Sequence, residues 1–227
     1  MSECTMEQES IQCDSCQCWF HQPCINMSMA QYLRFSEPHL QFYCRQCAYC
    51  SNVYNFAAAL SRIASVAPDV QVMTDKADSE LNLLQFYGIC LPPVVSVNTD
   101  TVRVHKQSVD LLRDHSPWLL DQFVPADVGG DGNWLFRAVS LAVYGHEGVH
   151  VQLCLLAAIE VLQHPALYDN SSDGYYMPYK ADDCLVLTCY STFACEIVKL
   201  HSYSDMHTVL SVSSVVQRPI QTFVHWG

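Results

Sequence analysis

The chain is short of basic residues. Its 227 residues include 11 Lys and Arg against 23 Asp and Glu, which gives a formal net charge of −12. Affinity for nucleic acid comes largely from Lys and Arg that displace counterions from phosphates, so this balance argues against a nucleic-acid-binding protein. It favours basic partners, such as histone tails. Charged residues make up only 15% of the chain and hydrophobic residues 50%, a composition that folds rather than stays disordered.

The chain also lacks the long apolar runs of membrane proteins. No uncharged apolar run approaches the roughly 18–20 residues of a membrane-spanning helix. The N-terminus is polar and acidic, unlike a signal peptide. These absences predict an intracellular protein with no membrane partner.

Cysteine is abundant, and its spacing is that of metal ligands. Eight of the 13 cysteines lie in the first fifty residues, a segment with few aliphatic residues that needs a staple to fold. Three pairs follow one another: Cys13-x2-Cys16, His21-x2-Cys24 and Cys44-x2-Cys47. Zinc binds four Cys or His ligands in a tetrahedron, and pairs with this spacing supply two each. We therefore expect Zn²⁺ as a cofactor and a reducing compartment, in contrast to a disulfide-bonded secreted protein.

The same order of ligands resembles a PHD finger over about residues 4–47. The resemblance implies two interleaved zinc sites, one formed by Cys13, Cys16, Cys44 and Cys47. His21 and Cys24 would belong to the second site, with Cys4 as a further ligand and Met1 where the fourth would fall. Either the chain is truncated at its N-terminus, or this site holds zinc through three residues and a water.

PHD fingers commonly read histone tails, so the resemblance implies a basic peptide as partner. Trp19 matches a position that can form one wall of an aromatic cage for methylated lysine, although it can equally be a packing residue. Residues 7–12 contain no second aromatic, which argues against a trimethyl-lysine cage. Asp14 is a candidate contact for a basic peptide.

Hydrophobic periodicity, together with Gly and Pro breaks, predicts mainly helices after residue 50. The predicted helices cover 51–68, 75–87, 107–115, 134–144, 149–163 and 205–216. Residues 94–104 alternate well enough for a strand or an extended stretch, and 219–224 are a predicted strand. Residues 169–190 are polar and rich in tyrosine, which predicts a loop.

One short motif carries the clearest functional information. Asp131-Gly132-Asn133-Trp134 follows two glycines and leads into an apolar helix. It resembles the signature of ovarian-tumour (OTU) cysteine proteases, with Trp134 in place of the nucleophilic cysteine. The resemblance covers about residues 120–224, with landmarks at Tyr144-Gly145 and Arg218-Pro219-Ile220. The segment also resembles the vertnin family, whose OTU-related region lacks the cysteine.

In OTU proteases a cysteine at a helix N-terminus is the nucleophile, turn N–H groups form the oxyanion hole and a distant histidine removes the proton. Indole has no ionisable nucleophile, so Trp134 predicts that no catalytic residue remains. Cys154 stands where the family often has arginine. His225 follows the Arg-Pro-Ile segment too closely to match the family base, and we interpret it as a tail residue.

The remaining cysteines and histidines of the C-terminal half match no metal or nucleophile pattern. They are Cys184, Cys189, Cys195, His201 and His207. We expect buried cysteines here to act as small hydrophobic residues.

Together these features predict an α+β chain. A small zinc-stapled PHD-like module (1–50) precedes a helical linker or first part of the second domain (51–119). An OTU-like α/β domain (120–227) follows, and both ends of the chain are expected to be truncated.

Three functions remain open from the sequence. The first is a nuclear binding protein that acts on chromatin or ubiquitin through a PHD-like finger and an inactive OTU-like domain. The second is an active OTU-type deubiquitinase in which Trp134 is a sequence error or a recent lesion. The third is a truncated fragment derived from a mobile element.

Overall fold

The computed structural model describes residues 9–37, 40–51, 54–169, 189–202 and 204–221. This part of the chain is mostly helical and contains one sheet of two antiparallel strands, β1 (Ser10–Gln12) and β2 (Trp19–His21), with Ile11 opposite Phe20. The helices are α1 (Met29–Phe35), α2 (Arg45–Ser51), α3 (Phe56–Ala64), α4 (Val70–Tyr87), α5 (Lys106–His115), α6 (Trp134–Tyr144), α7 (His150–Gln163), α8 (Pro165–Tyr168), α9 (Tyr190–Ile197) and α10 (Met206–Val216).

The chain divides into two compact units. The smaller unit comprises Met1–Asn55 and Ser79–Cys90, and the larger comprises Phe56–Asp78 and Leu91–Gly227. The first half of α4 therefore belongs to the larger unit and its second half to the smaller unit. Each unit has its own apolar core.

The core of the smaller unit is a cluster of aromatic rings around Phe42. The Phe42 ring centroid lies 5.4 Å from that of Phe35, 6.2 Å from that of Phe20 and 6.4 Å from that of Phe86. Edge-to-face arrangements such as the first two are the favoured geometry for aromatic pairs. Because Phe86 lies on α4, the second half of that helix completes this core.

A buried ion pair also joins α4 to the rest of the smaller unit. The Arg34 guanidinium donates to Oε1 of Glu80 at 2.7 Å, and the Tyr54 hydroxyl donates to Oε2 at 2.7 Å. The Glu80 side chain is fully buried, and that of Arg34 is 16% exposed. A carboxylate removed from water is tolerated only when it is paired in this way.

Helix α7 is the centre of the larger unit and contacts α3, α6, α8, α9 and α10. Its sequence, HVQLCLLAAIEVLQ, is apolar on nearly all sides, as expected for a helix surrounded by others. The buried Ser140 fixes the entry into α7: its hydroxyl donates to His146 O at 2.7 Å and accepts from Val149 N at 3.1 Å. Gly145 ends α6 with a φ of +79°, a left-handed conformation that favours glycine.

The helices of the larger unit follow the sequence periodicity closely, and α6 has the predicted limits of 134–144. By contrast, the strand alternative for 94–104 is wrong. That segment contains a short 3₁₀ turn at Thr99–Thr101 and one isolated bridge between Val104 and Ala126, because no strand of the described residues runs beside it. Residues 219–221 are not a strand, and 222–224 lie outside the described residues.

The expected α/β character of the second domain has no counterpart in the described part of the larger unit, which is helical. Helix α4 begins at Val70, five residues before the predicted start, and α3 covers only the middle of 51–68. Helices α1, α2, α8 and α9 were not predicted. Within the described residues, no helix combines the length and apolar character that a membrane span requires.

The buried ion pair leads to a stability prediction. Replacing Arg34 by alanine leaves the Glu80 carboxylate buried without its cation, which we expect to cost about 3–5 kcal/mol. Native-state hydrogen exchange of the α1 amides should then speed up by at least about 100-fold. The control is Arg113→Ala, which removes an ion pair with Asp110 whose side chains are both largely exposed and should cost less than about 1 kcal/mol. Equal effects of the two variants would contradict a stabilising role for the buried pair.

Candidate functional site

Four cysteines of the smaller unit converge on one point. Cys13 directly follows β1, Cys16 lies in the turn before β2, Cys44 precedes α2 and Cys47 lies in its first turn. Their sulfur atoms all lie within 4.8 Å of one another, and the Sγ atoms of Cys16 and Cys44 are 3.9 Å apart. Ligands of a tetrahedral zinc with Zn–S bonds of about 2.3 Å are about 3.8 Å apart. The cluster therefore has the dimensions of a four-thiolate metal site.

The electrostatics of this cluster favour a cation. Burial opposes ionisation of the Cys13 thiol, but backbone N–H groups of Cys16 and Cys44 outweigh it and lower its pKa to about 6. Burial and the neighbouring thiols raise the pKa of Cys44 to about 12. Four thiolates this close repel one another unless a cation lies between them, and a bound metal deprotonates all four ligands.

The remaining predicted ligands lie elsewhere. His21 Nδ1 and Cys24 Sγ are 3.7 Å apart and form a pair outside the four-cysteine cluster. Cys4 lies outside the described residues. Within the described part of the chain, the four-cysteine cluster is the one group of three or more side chains with ligand atoms close enough to share a metal.

The two candidate peptide contacts differ in their surroundings. The Trp19 side chain is exposed to 62%. One carboxylate oxygen of Asp14 accepts the N–H of Phe42 at 2.7 Å, and the Asp14 N–H donates to Phe42 O at 2.8 Å. Asp14 therefore joins the first cysteine pair to the segment before the last pair, a structural role that its acidic character did not indicate.

Trp134 is the first residue of α6 and is 46% exposed. The preceding Asn133 occupies the N-cap position, but its side chain makes no capping hydrogen bond. The first N–H groups of a helix have no partner within the helix, and together with the helix dipole they favour a negative group. The position is thus electrostatically suited to a thiolate, yet it carries an indole.

An ion-pair clamp holds the turn before α6. Arg137 donates to both oxygens of Asp131, at 3.0 and 2.5 Å, and to Glu147 Oε2 at 3.1 Å. The same Glu147 oxygen accepts the N–H of Gly129 at 3.1 Å. The Arg137 guanidinium holds the pKa of the Asp131 carboxyl well below its usual range. The clamp is therefore fully formed at neutral pH and weakens as the pH falls through that low pKa.

Asn133 and Gly132 pack against the turn around His201. The Asn133 side chain is 3% exposed; its Oδ1 accepts the His201 N–H at 2.9 Å, and its Nδ2 lies 3.1 Å from His201 Nδ1. His201 Nδ1 also contacts Asp131 O. Gly132 has a φ of +87°, and a Cβ there would lie 2.7–2.9 Å from backbone atoms of His201. Sequence analysis missed both this role of His201 and the Arg137 clamp, because their partners are recognised only from the fold.

The other cysteines of the larger unit do not form a site in the described residues. Cys154 is buried in α7, which raises its pKa to about 12. Cys189 is exposed at the start of α9, where hydrogen bonds from the Ser191 and Thr192 hydroxyls lower its pKa to about 7. Cys195 is partly buried. His207 is buried and packs on the Phe193 ring. Cys184 and His225 lie outside the described residues.

Comparison with known proteins gives two family matches. Residues 2–47 match the PHD-finger family, and residues 125–223 match the family described as the OTU domain of vertnin. No curated protein and no solved structure matches the chain significantly. The first match contains the four-cysteine cluster, and the second contains the glycine turn, Trp134 and the helices from α6 to α10. The chain therefore carries a PHD finger over residues 2–47 and a vertnin-type OTU domain over residues 125–223.

Proposed function

We propose that this protein is a nuclear binding protein, in which a zinc-loaded PHD finger is joined to a catalytically inactive OTU domain. Zinc would be held by Cys13, Cys16, Cys44 and Cys47, with His21, Cys24 and Cys4 as ligands of a second site. The proposed boundaries are 1–50 for the finger, 51–119 for a linker or first part of the second domain, and 120–227 for the α/β OTU-like domain.

The observation that carries the proposal of inactivity is the residue at the start of α6. Trp134 supplies no group that can form a covalent intermediate. The three residues before it are nevertheless held by contacts that have no need of catalysis: the Arg137 clamp on Asp131, and the packing of Gly132 and Asn133 on His201. Such contacts allow the motif to persist in a domain that binds rather than cleaves.

The proposed partners are a basic peptide, such as a histone tail, for the finger and ubiquitin for the OTU domain. Support for the first comes from the net charge of −12 and from the exposed Trp19, whose ring can contact a lysine side chain. Asp14 retains one carboxylate oxygen for such a contact while the other accepts the Phe42 N–H. PHD fingers often bind histone tails, which also supports a nuclear location.

The metal proposal is tested by elemental analysis of the purified chain. We expect at least one zinc per chain, and Cys16→Ser should lower the zinc content, because loss of one of four ligands weakens a structural zinc site. Cys189→Ser is the matched control and should leave the zinc content unchanged, since Cys189 lies outside the cluster. A chain without bound metal, or equal zinc content in the two variants, would contradict the assignment.

The structural role of the OTU-like motif is tested by two glycine substitutions. Gly132→Ala introduces a Cβ in the left-handed region and into the His201 backbone, and should destabilise the larger unit by at least about 2 kcal/mol. At Gly130 a Cβ would meet no atom of the described residues within 4 Å, so Gly130→Ala should change stability by no more than about 1 kcal/mol. Urea unfolding followed by circular dichroism measures both. If Gly132→Ala were as stable as the parent, packing would not explain why this glycine is retained.

Inactivity is tested with ubiquitin chains and a thiol-directed ubiquitin probe. The parent chain should neither hydrolyse the chains nor become labelled. Trp134→Cys should react with the probe, because the start of α6 lowers the pKa of a thiol placed there. Its turnover should stay slow, since base assistance is worth typically about 10²–10⁴-fold and the Nδ1 of His201 is engaged by Asn133. Labelling of the parent chain at any other cysteine would contradict the proposal.

A further inference from the structure

A cavity of about 360 Å³ opens on the smaller unit, on a surface that the proposed functions do not use. Phe20, Ile25, Phe42 and Phe86 give it apolar walls, and Asn26 and Arg45 are among its polar lining residues. A second, shallower depression lies beside it and shares Arg45. Ligand sites in proteins typically combine mostly apolar walls with a few polar groups that fix orientation.

The guanidinium of Arg45 is the one charged group that lines this cavity. Arg34, Arg103, Arg113 and Arg137 each form an ion pair with a carboxylate. Among the residues that the structure describes, none forms an ion pair with Arg45. Guanidinium groups bind carboxylates through two parallel hydrogen bonds, so a carboxylate is the ligand group that this position suits.

The cavity is distinct from the proposed histone-peptide surface. Successive side chains of a strand point to opposite faces, so Trp19 and Phe20 of β2 lie on different sides of the ribbon. Trp19 is largely exposed, whereas Phe20 packs on Phe42 and lines the cavity. A ligand in the cavity would therefore leave the Trp19 surface accessible.

We propose that this cavity binds a carboxylate attached to a large apolar group, such as the C-terminal residue of a peptide that ends in a large hydrophobic side chain. The apolar group packs between Phe20, Phe42 and Phe86, and the carboxylate pairs with Arg45. Cys44 of the four-cysteine cluster also lines the cavity, so the shape of the cavity depends on the order of that cluster.

The test is an NMR titration of the zinc-loaded full chain with N-acetylphenylalanine. We expect saturable shifts of the Asn26, Gln46 and Phe86 amides. N-acetylphenylalaninamide lacks the charge and N-acetylalanine lacks the ring, and each should bind at least about tenfold more weakly. Arg45→Gln should weaken binding of the acid to the same extent, whereas Arg113→Gln, a control in the larger unit, should not.

Two results would overturn the proposal. One is the absence of saturable shifts at millimolar ligand. The other is an Arg45→Gln variant that binds the acid as tightly as the parent. If that variant also lost zinc more readily, Arg45 would serve the neighbouring thiolates rather than a ligand. Because the readout is binding of a small acid, failure here leaves the proposals on histone tails and ubiquitin untouched.

Discussion

The smaller unit depends on the close approach of four cysteine sulfurs. All four lie within 4.8 Å of one another, between a two-stranded ribbon of three residues per strand and a helix of seven. Elements this short do not hold together by backbone hydrogen bonds alone, and a module of about fifty residues has little apolar core. A cation between the thiolates would remove their mutual repulsion and join the turn before β2 to the start of α2. The ring cluster around Phe42 then packs on a frame that the metal fixes.

The larger unit is organised differently, around the buried helix α7. Its glycine turn is held from two sides, by the Arg137 clamp on Asp131 and by the His201 backbone against Gly132. Both contacts are part of the packing of the unit. A motif that originates in catalysis can in this way become necessary for the fold, so that its presence no longer indicates activity. The residue that chemistry alone requires is the nucleophile, and that is the position where Trp134 stands.

How far the sequence predicts the structure depends on the range of the interactions. Helix α6 has its predicted limits because its signals are local: a glycine turn before it, apolar periodicity within it and Gly145 after it. The segment 94–104 alternates like a strand but has no strand beside it among the described residues, and pairing is what a strand requires. The Arg34–Glu80 pair joins residues 46 positions apart, and no local pattern announces it.

The same distinction applies to the candidate sites. Cysteine spacing indicated which side chains could share a metal, because ligand pairs are local in sequence. It could not indicate that Asp14 bonds to Phe42, that His201 lies against the glycine turn, or that Phe86 of α4 completes the core and lines a cavity. These contacts join segments that only the folded chain brings together. For that reason the metal site could be predicted from the sequence and the cavity could not.

The most direct measurement of the central claim is X-ray absorption at the zinc edge of the chain loaded with one equivalent of zinc. The four-cysteine assignment predicts a first shell of four sulfur atoms at about 2.3 Å. A shell with two or more nitrogen or oxygen atoms would contradict it, because the metal would then occupy a site other than Cys13, Cys16, Cys44 and Cys47.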